Sequence, residues 1–265
     1  MWRFWRIFLL YTQYALEYRS ISFVWFLVTL INASMYLLFW RGALTNQNTS
    51  TQFWTISSAI SYYILLIIAG GFLHAHIEED VAYEDIQKGD LVKYLTRPLS
   101  YFWFKYFLEL PWRIIQGFFG IVVFVGVVIF YKPIPIVHTV ESVSLTALII
   151  FLAYHLSFVY KMIIGLAAFW MTDSRGLLNL EAIVFLLLAG FVIPLSLFPL
   201  GVRSFVLFQP LAYMIYYPIL AIQGVLNASQ LLQVVMYQVI WFLILVIVYK
   251  MVWTLGLKRF TGIGQ

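Results

Sequence analysis

The chain has 265 residues, 63% of them hydrophobic and only 10% charged, with a formal net charge of +5. A soluble domain keeps about a quarter of its residues charged, so this composition excludes an ordinary water-soluble fold. Cysteine is absent, which excludes disulfides, thiolate chemistry and the commonest zinc and iron–sulfur ligand sets.

Apolar stretches of about 20 residues recur along the chain, each long enough as a helix to cross a hydrocarbon layer of about 30 Å. They lack the period-two alternation of barrel strands, and lipid offers backbone groups no partners, so helices are expected. The predicted fold is all-α: one polytopic membrane domain with six transmembrane helices at 22–40, 53–73, 112–131, 145–171, 180–198 and 230–254. Short cytoplasmic loops hold an excess of Lys and Arg. An inside N-terminus places Arg3, Arg6, Arg19, Lys88, Lys93, Arg97, Lys105, Arg175, Lys258 and Arg259 inside, and leaves Arg41, Lys132 and Arg203 outside. The prediction is a multi-pass protein of the cytoplasmic (inner) membrane with both termini cytoplasmic and TNQNTSTQ, 45–52, outside. Its positive charge then reflects topology among membrane lipid and carries no nucleic-acid inference.

At the N-terminus, Arg3 and Arg6 precede an apolar run as in a signal peptide, but the run is short, polar residues come next and no small-residue cleavage site appears. On a wheel of about 100° per residue, Arg3, Arg6, Gln13 and Glu17 share an arc of about 80°. Residues 1–19 therefore read as an amphipathic helix lying on the membrane face, or alternatively as an extension of the first span.

The stretch HAHIEEDVAYEDIQKGDLVKYLTRPLSYFWFK is the long charged connection of the chain, assigned as a cytoplasmic loop over 74–105. Ile77 and Val81, then Ile86 and Leu91, suggest two short amphipathic helices broken at Gly89. Glu78, Glu79 and Asp80 load the first turn, where anions suit the helix dipole, and Lys88 lies at the end. Gly89-Asp90 is a turn signal, and Arg97-Pro98 closes the second helix because the residue before proline is steered out of the helical region. His74 and His76 are two apart while His138 and His155 are isolated, so no third metal ligand is indicated. Structural roles are expected for them, with no metal or cofactor bound by this chain.

Further along, Glu109 precedes Arg113 by four residues, a helical ion pair. Ser57, Ser61, Gly117 and Gly120 suit close helix packing. Lys161 lies inside the fourth span with His155 six residues before it; the readings are a substrate path, a proton relay, or pairing with a carboxylate on another helix. Asp173 and Arg175, between the fourth and fifth spans, either solvate a loop or form a second small contact surface. Pro194, Pro199, Pro210 and Pro218 interrupt membrane-grade sequence. Irregular backbone at that depth has to be buried in protein or line a wet cavity, so a re-entrant pair of short helices is expected over 199–225, with Arg203 near its tip. It serves either as an outer gate or as a brace.

The run Ile86-x-x-Gly89-x-Leu91-x-x-Tyr94-Leu95-x-Arg97-Pro98-Leu99 resembles the cytoplasmic signature of the six-span permeases of the type-2 ABC exporter class. Downstream, Gly165-Leu166-Ala167-Ala168-Phe169-Trp170, Ala189-Gly190-Phe191-x-Ile193-Pro194-Leu195, Gln209-Pro210 with Tyr213, Tyr216 and Pro218, and Trp253-x-x-Gly256-Leu257-x-Arg259-Phe260 also resemble that family. Thr96 stands where the family usually has leucine.

The resemblance implies a non-catalytic transmembrane half of an ATP-driven exporter. Two copies of an ABC ATPase subunit would bind ATP and Mg²⁺, and a second permease, identical or paralogous, would complete the path. No Gly-x-x-x-x-Gly-Lys-Ser/Thr loop is present to cradle phosphates. The coupling element is placed at 77–88, with His76, Glu78, Glu79, Glu84, Asp85 and Lys88 facing the ATPase. Gly89, Arg97 and Pro98 return the chain to the membrane, and Asp173 and Arg175 offer the second contact. Apolar, aromatic spans favour an amphipathic or lipid-like cargo. An ion-coupled secondary transporter is the alternative; it should show internal repeats, and none is detected.

Overall fold

A computed structural model describes residues 2–45, 56–130 and 139–260. Residues 46–52 of the TNQNTSTQ loop, Lys132 and His138 lie outside the described residues. Those described form ten α-helices joined by short 3₁₀ and π turns, with no strand among them. Helix α1 is Trp2–Glu17, α2 Arg19–Thr45, α3 Ile56–Leu73, α4 Leu91–Leu95, α5 Tyr101–Phe130, α6 Val140–Leu166, α7 Arg175–Leu188, α8 Leu200–Phe208, α9 Tyr216–Ile222 and α10 Ala228–Leu257.

Four of these are long and apolar enough to cross a membrane: α2, α5, α6 with its 3₁₀ extension Ala167–Trp170, and α10. The fold is therefore that of an all-α membrane protein. The count of six is not met by length alone. Helix α3 is apolar but shorter, and the 14 residues of α7 reach only about 21 Å at about 1.5 Å per residue.

Helix α6 is the spine. It packs along α10 on one side and touches α3, α7 and α9 on others. Helix α3 lies between α2 and α5, whose approach depends on missing side chains: a Cβ on Gly120 would meet the Ile68 Cα at 2.9 Å, and one on Gly71 the Gln116 carbonyl oxygen at 2.9 Å. Gly117 gives way to the Phe72 ring in the same crossing. The close packing expected of Gly117 and Gly120 is what the structure shows. Helix α1 lies against α5 through Phe4 on Phe107 and Tyr11 edge-on to Phe104, while Trp5, Leu9, Leu10 and Leu16 stay exposed.

Two expected boundaries are corrected. Helix α5 starts at Tyr101, well before 112: Lys105, which the sequence placed in the loop, is buried and paired, as are Glu109 and Arg113, the expected helical pair. Pro111 sits within it without ending it. Helix α7, expected as the fifth span, stops at Leu188 instead of running to 198: Gly190 takes φ +93° and Pro194, with ψ 127°, is not helical, so the chain unwinds before the re-entrant segment.

That unwinding leaves carbonyls without helical partners, and side chains from other helices supply the donors. The Tyr62 hydroxyl donates to the Gly190 carbonyl at 2.7 Å, and Tyr63 and the Trp40 indole both donate to the Val192 carbonyl. Gln209 donates to the Leu188 carbonyl, and buried Gln238 of α10 donates to that of Tyr213 and also to that of Ile149 within α6. Pro199 caps α8, Pro210 opens a 3₁₀ turn, Pro218 sits in the first turn of α9, and the two arms meet at a bend of 62°. Helix α8 keeps Leu200 and Phe205 exposed, whereas most of 211–222 is buried in the bundle. Irregular backbone here is covered by protein, as lipid requires.

At Gly89 φ is +82°, with open space where a Cβ would go. Gly89→Ala is thus a conformational test without a steric clash. It should cost about 1–2 kcal/mol, the penalty of a left-handed residue, read as a lower midpoint in chemical unfolding of the purified protein.

Candidate functional site

Between α3 and α5 the charged stretch folds into a π-helix, Asp80–Gln87, then the Gly89 turn and α4. The Lys88 amide donates to the Tyr83 carbonyl, five residues back. Eight residues of π-helix are unusual, since such turns occur mostly singly and often at functional sites. Val81, Ala82 and Ile86 bury one face. Gly165 of α6 makes room for it: a Cβ there would stand 2.7 Å from the Val81 Cβ and 2.8 Å from the Glu78 carbonyl oxygen.

Three buried charge clusters bolt this element to the spans. Lys161, 1% exposed, holds Glu78 of the loop at 2.7 Å and Glu181 of α7 at 2.8 Å. Lys105 of α5, 2% exposed, pairs with Asp85 of the π-helix at 2.6 Å, and the Tyr101 hydroxyl donates to the same carboxylate at 2.5 Å. Glu109, ion-paired to Arg113, accepts the His76 amide at 2.8 Å, while Arg113 donates to the His74 carbonyl at 2.9 Å. The Ala75 amide donates to Ser157 of α6. The helical pair Glu109–Arg113 is therefore also a clamp on the entry loop.

This corrects the expected outward orientation of Glu78 and Asp85, which point inward at Lys161 and Lys105. The sequence carried a signal: on a wheel of about 100° per residue both fall inside the arc occupied by Ile77, Val81 and Ala82, and a charge there needs a buried counter-charge. His76, Glu79, Glu84, Lys88, Arg97 and Pro98 are exposed, and Gly89 is buried at the turn. Lys88 pairs with Glu84 at 2.7 Å across one exposed turn.

Residues treated separately in the sequence come together here. Tyr83, Glu84, Gln87 and Lys88 of the π-helix and its cap, with Asp173 just before α7 and Arg175 at its start, line one groove of about 480 Å³. The Gln87 amide donates to Ser174 at 3.2 Å, fastening its two sides. Arg175 and Asp173 pair at 3.1 Å and are well exposed. The motifs in the later spans also converge: Gly256 is close enough to Phe169 that a Cβ would overlap the ring, and Trp253 stacks on Tyr101 at 5.0 Å.

His155 and Lys161 do not form a relay. His155 Nε2 lies 3.0 Å from the Tyr106 hydroxyl and Nδ1 2.7 Å from the Phe151 carbonyl oxygen, whereas Lys161 is held by its two carboxylates. Of the three readings of Lys161, pairing across helices is the one observed. Among the described residues no cluster has the ligands for a metal ion.

Burial alone would raise the Glu78 carboxyl, but the His76 ring and the Lys161 ammonium outweigh it and hold it near 2, below the ordinary 4.5. A depressed carboxyl supports folding above 4.5, and that support is lost as pH falls from 4.5 towards 2. Asp85 is shifted the other way, raised by burial against the pull of Lys105, so whole-protein stability mixes both signs. The difference between wild type and Glu78→Gln isolates the first. Wild type should be the more stable at pH 6, and thermal unfolding midpoints should draw together as pH falls below 4.5 and meet only towards 2.

A family model described as ABC-2 family transporter protein matches residues 30–264. No curated protein and no solved structure matches the chain.

Proposed function

Since the chain belongs to the ABC-2 transporter family and is a membrane permease of that kind, we propose that it is half of an ATP-driven exporter, moved by a separate ATPase docked on the π-helix. The observation that carries this is the groove joining Glu84 and Lys88 to Asp173 and Arg175, on an element fixed to the spans by buried charges. An element that passes force needs an exposed polar face for its partner and a stiff root in the membrane. Charged groups with hydrogen-bonded counter-charges in low dielectric make such a root.

In this reading two ATPase subunits supply ATP and Mg²⁺, and a second permease completes the path. The charged element and both termini face the cytoplasm, where short loops concentrate Lys and Arg. Helices α3 and α7 count as the second and fifth of six spans, the latter completed by the unwound segment to 198. Helix α1 lies along the inner membrane face. His155 and the bent α8–α9 pair border the path, the latter as outer gate or brace. With Lys161 already neutralised by Glu78 and Glu181, an amphipathic or lipid-like cargo suits the apolar, aromatic spans better than a small ion.

The test is co-purification from native membranes. A tagged chain should bring down a soluble ATPase, and reconstituted vesicles should move cargo only with that ATPase and ATP. Transport by the chain alone on an ion gradient would establish the secondary-carrier reading instead.

A further inference from the structure

A second groove, sharing no residue with the first, opens between the chain leaving α4 and the last turns of α10. Its volume is about 330 Å³, and its walls include Tyr94, Arg97, Ser100, Tyr101, Tyr249 and Trp253. The aromatic side is a continuous stack: Tyr101 on Trp253 at 5.0 Å, and Trp253 on Tyr249 at 6.4 Å with ring planes 12° apart. Arg97, like Lys250, Lys258 and Arg259 towards the end of α10, differs from the cations held in ion pairs. Lys88, Lys93, Lys105, Arg113, Lys161 and Arg175 each hold a carboxylate within 4 Å. Arg97 is exposed and forms no ion pair among the described residues.

We propose that this groove is a binding site for the phosphate of an anionic membrane phospholipid, gripped by Arg97 against the Tyr101–Trp253–Tyr249 wall. A guanidinium with no carboxylate presents a planar fork suited to two phosphate oxygens. Stacked Tyr and Trp with a polar edge are the chemistry of the headgroup level of a bilayer. The groove lies where α10, a membrane-crossing helix by length and composition, approaches its C-terminal end, which puts a phosphate within reach and lets acyl chains leave past Leu95 and Leu99. A basic side chain near the surface gains further from an anionic leaflet. None of this depends on an ATPase, so its failure would leave the transport reading intact.

The test is native mass spectrometry of the full chain in detergent, titrated with phosphatidylglycerol and separately with phosphatidylcholine. Wild type should retain phosphatidylglycerol about tenfold more tightly than Arg97→Gln, with Arg97→Lys in between because it keeps the charge and loses the fork. Phosphatidylcholine should bind less well, and millimolar inorganic phosphate should not displace the lipid. Circular dichroism of each variant confirms that the fold is intact, and Arg97→Lys serves as the informative variant if Arg97→Gln unfolds. Equal retention by wild type and Arg97→Lys together with Arg97→Gln, or displacement by inorganic phosphate alone, would overturn the proposal; the second outcome would mark a free-anion site.

Discussion

Lys161→Met should destabilise the folded chain by about 3–5 kcal/mol, the range for removing one partner from a buried charge cluster. The substitution keeps the length of the side chain and removes the ammonium that joins Glu78 to Glu181, leaving the two carboxylates with only the His76 ring beside Glu78. Both carboxylates are buried, and each already has one oxygen without a hydrogen-bond partner. The Lys161 ammonium also lies 4.9 Å from the Phe185 ring centre, a contact that methionine replaces only in part. Neutralising the whole cluster with Lys161→Met, Glu78→Gln and Glu181→Gln should recover most of the loss, since the penalty comes from uncompensated charge and not from missing packing. Denaturant titration of the three single variants and the triple variant checks this. A triple variant no more stable than Lys161→Met would mean that the cluster holds the fold by shape.

The second large effect belongs to the exposed groove. Glu84→Lys combined with Asp173→Lys should lower ATP-dependent transport at least tenfold, while membrane insertion and unfolding midpoint stay close to wild type. Both residues are exposed, and substitutions at such positions usually stay within about 0.5 kcal/mol of neutral. A tenfold loss corresponds to about 1.4 kcal/mol of lost transition-state stabilisation. Asp85→Lys is the contrasting control. It would place a second cation against Lys105 in a closed site, so transport and folding should fail together. Full transport by the Glu84→Lys, Asp173→Lys variant with its cognate ATPase would remove this groove from the coupling pathway.

The sequence made local features readable and left pairings hidden. The break at Gly89, the tight approach at Gly117 and Gly120 and the interruption around Pro194 and Pro199 arise from properties of single residues, chiefly backbone freedom or its loss. The charged stretch stands out against an apolar background for the same reason. Lys161 was visible as an anomaly, yet Glu78 lies 83 positions away, and no periodicity joins residues at that separation. The outward assignment of Glu78 and Asp85 treated acidic character as exposure. Their place on the apolar arc, together with the otherwise unplaced cations Lys105 and Lys161, pointed inward. The early start of α5 was hidden in the same way, because Lys105 looks like loop composition until its partner Asp85 is known.

The wide turn at Asp80–Gln87 has one further consequence. A helix with five-residue hydrogen-bond spacing holds an extra residue relative to a four-residue one, so removing a single residue between Val81 and Asp85 would let the segment relax to the commoner winding. The deletion takes out the one residue that the wider winding holds in excess, so the chain on its two sides would keep nearly its present phase. Glu79, Glu84 and Lys88 would stay on the side they now occupy. One lost codon would thus tighten the element without turning its outer surface away from a partner, with no amino acid exchanged for another.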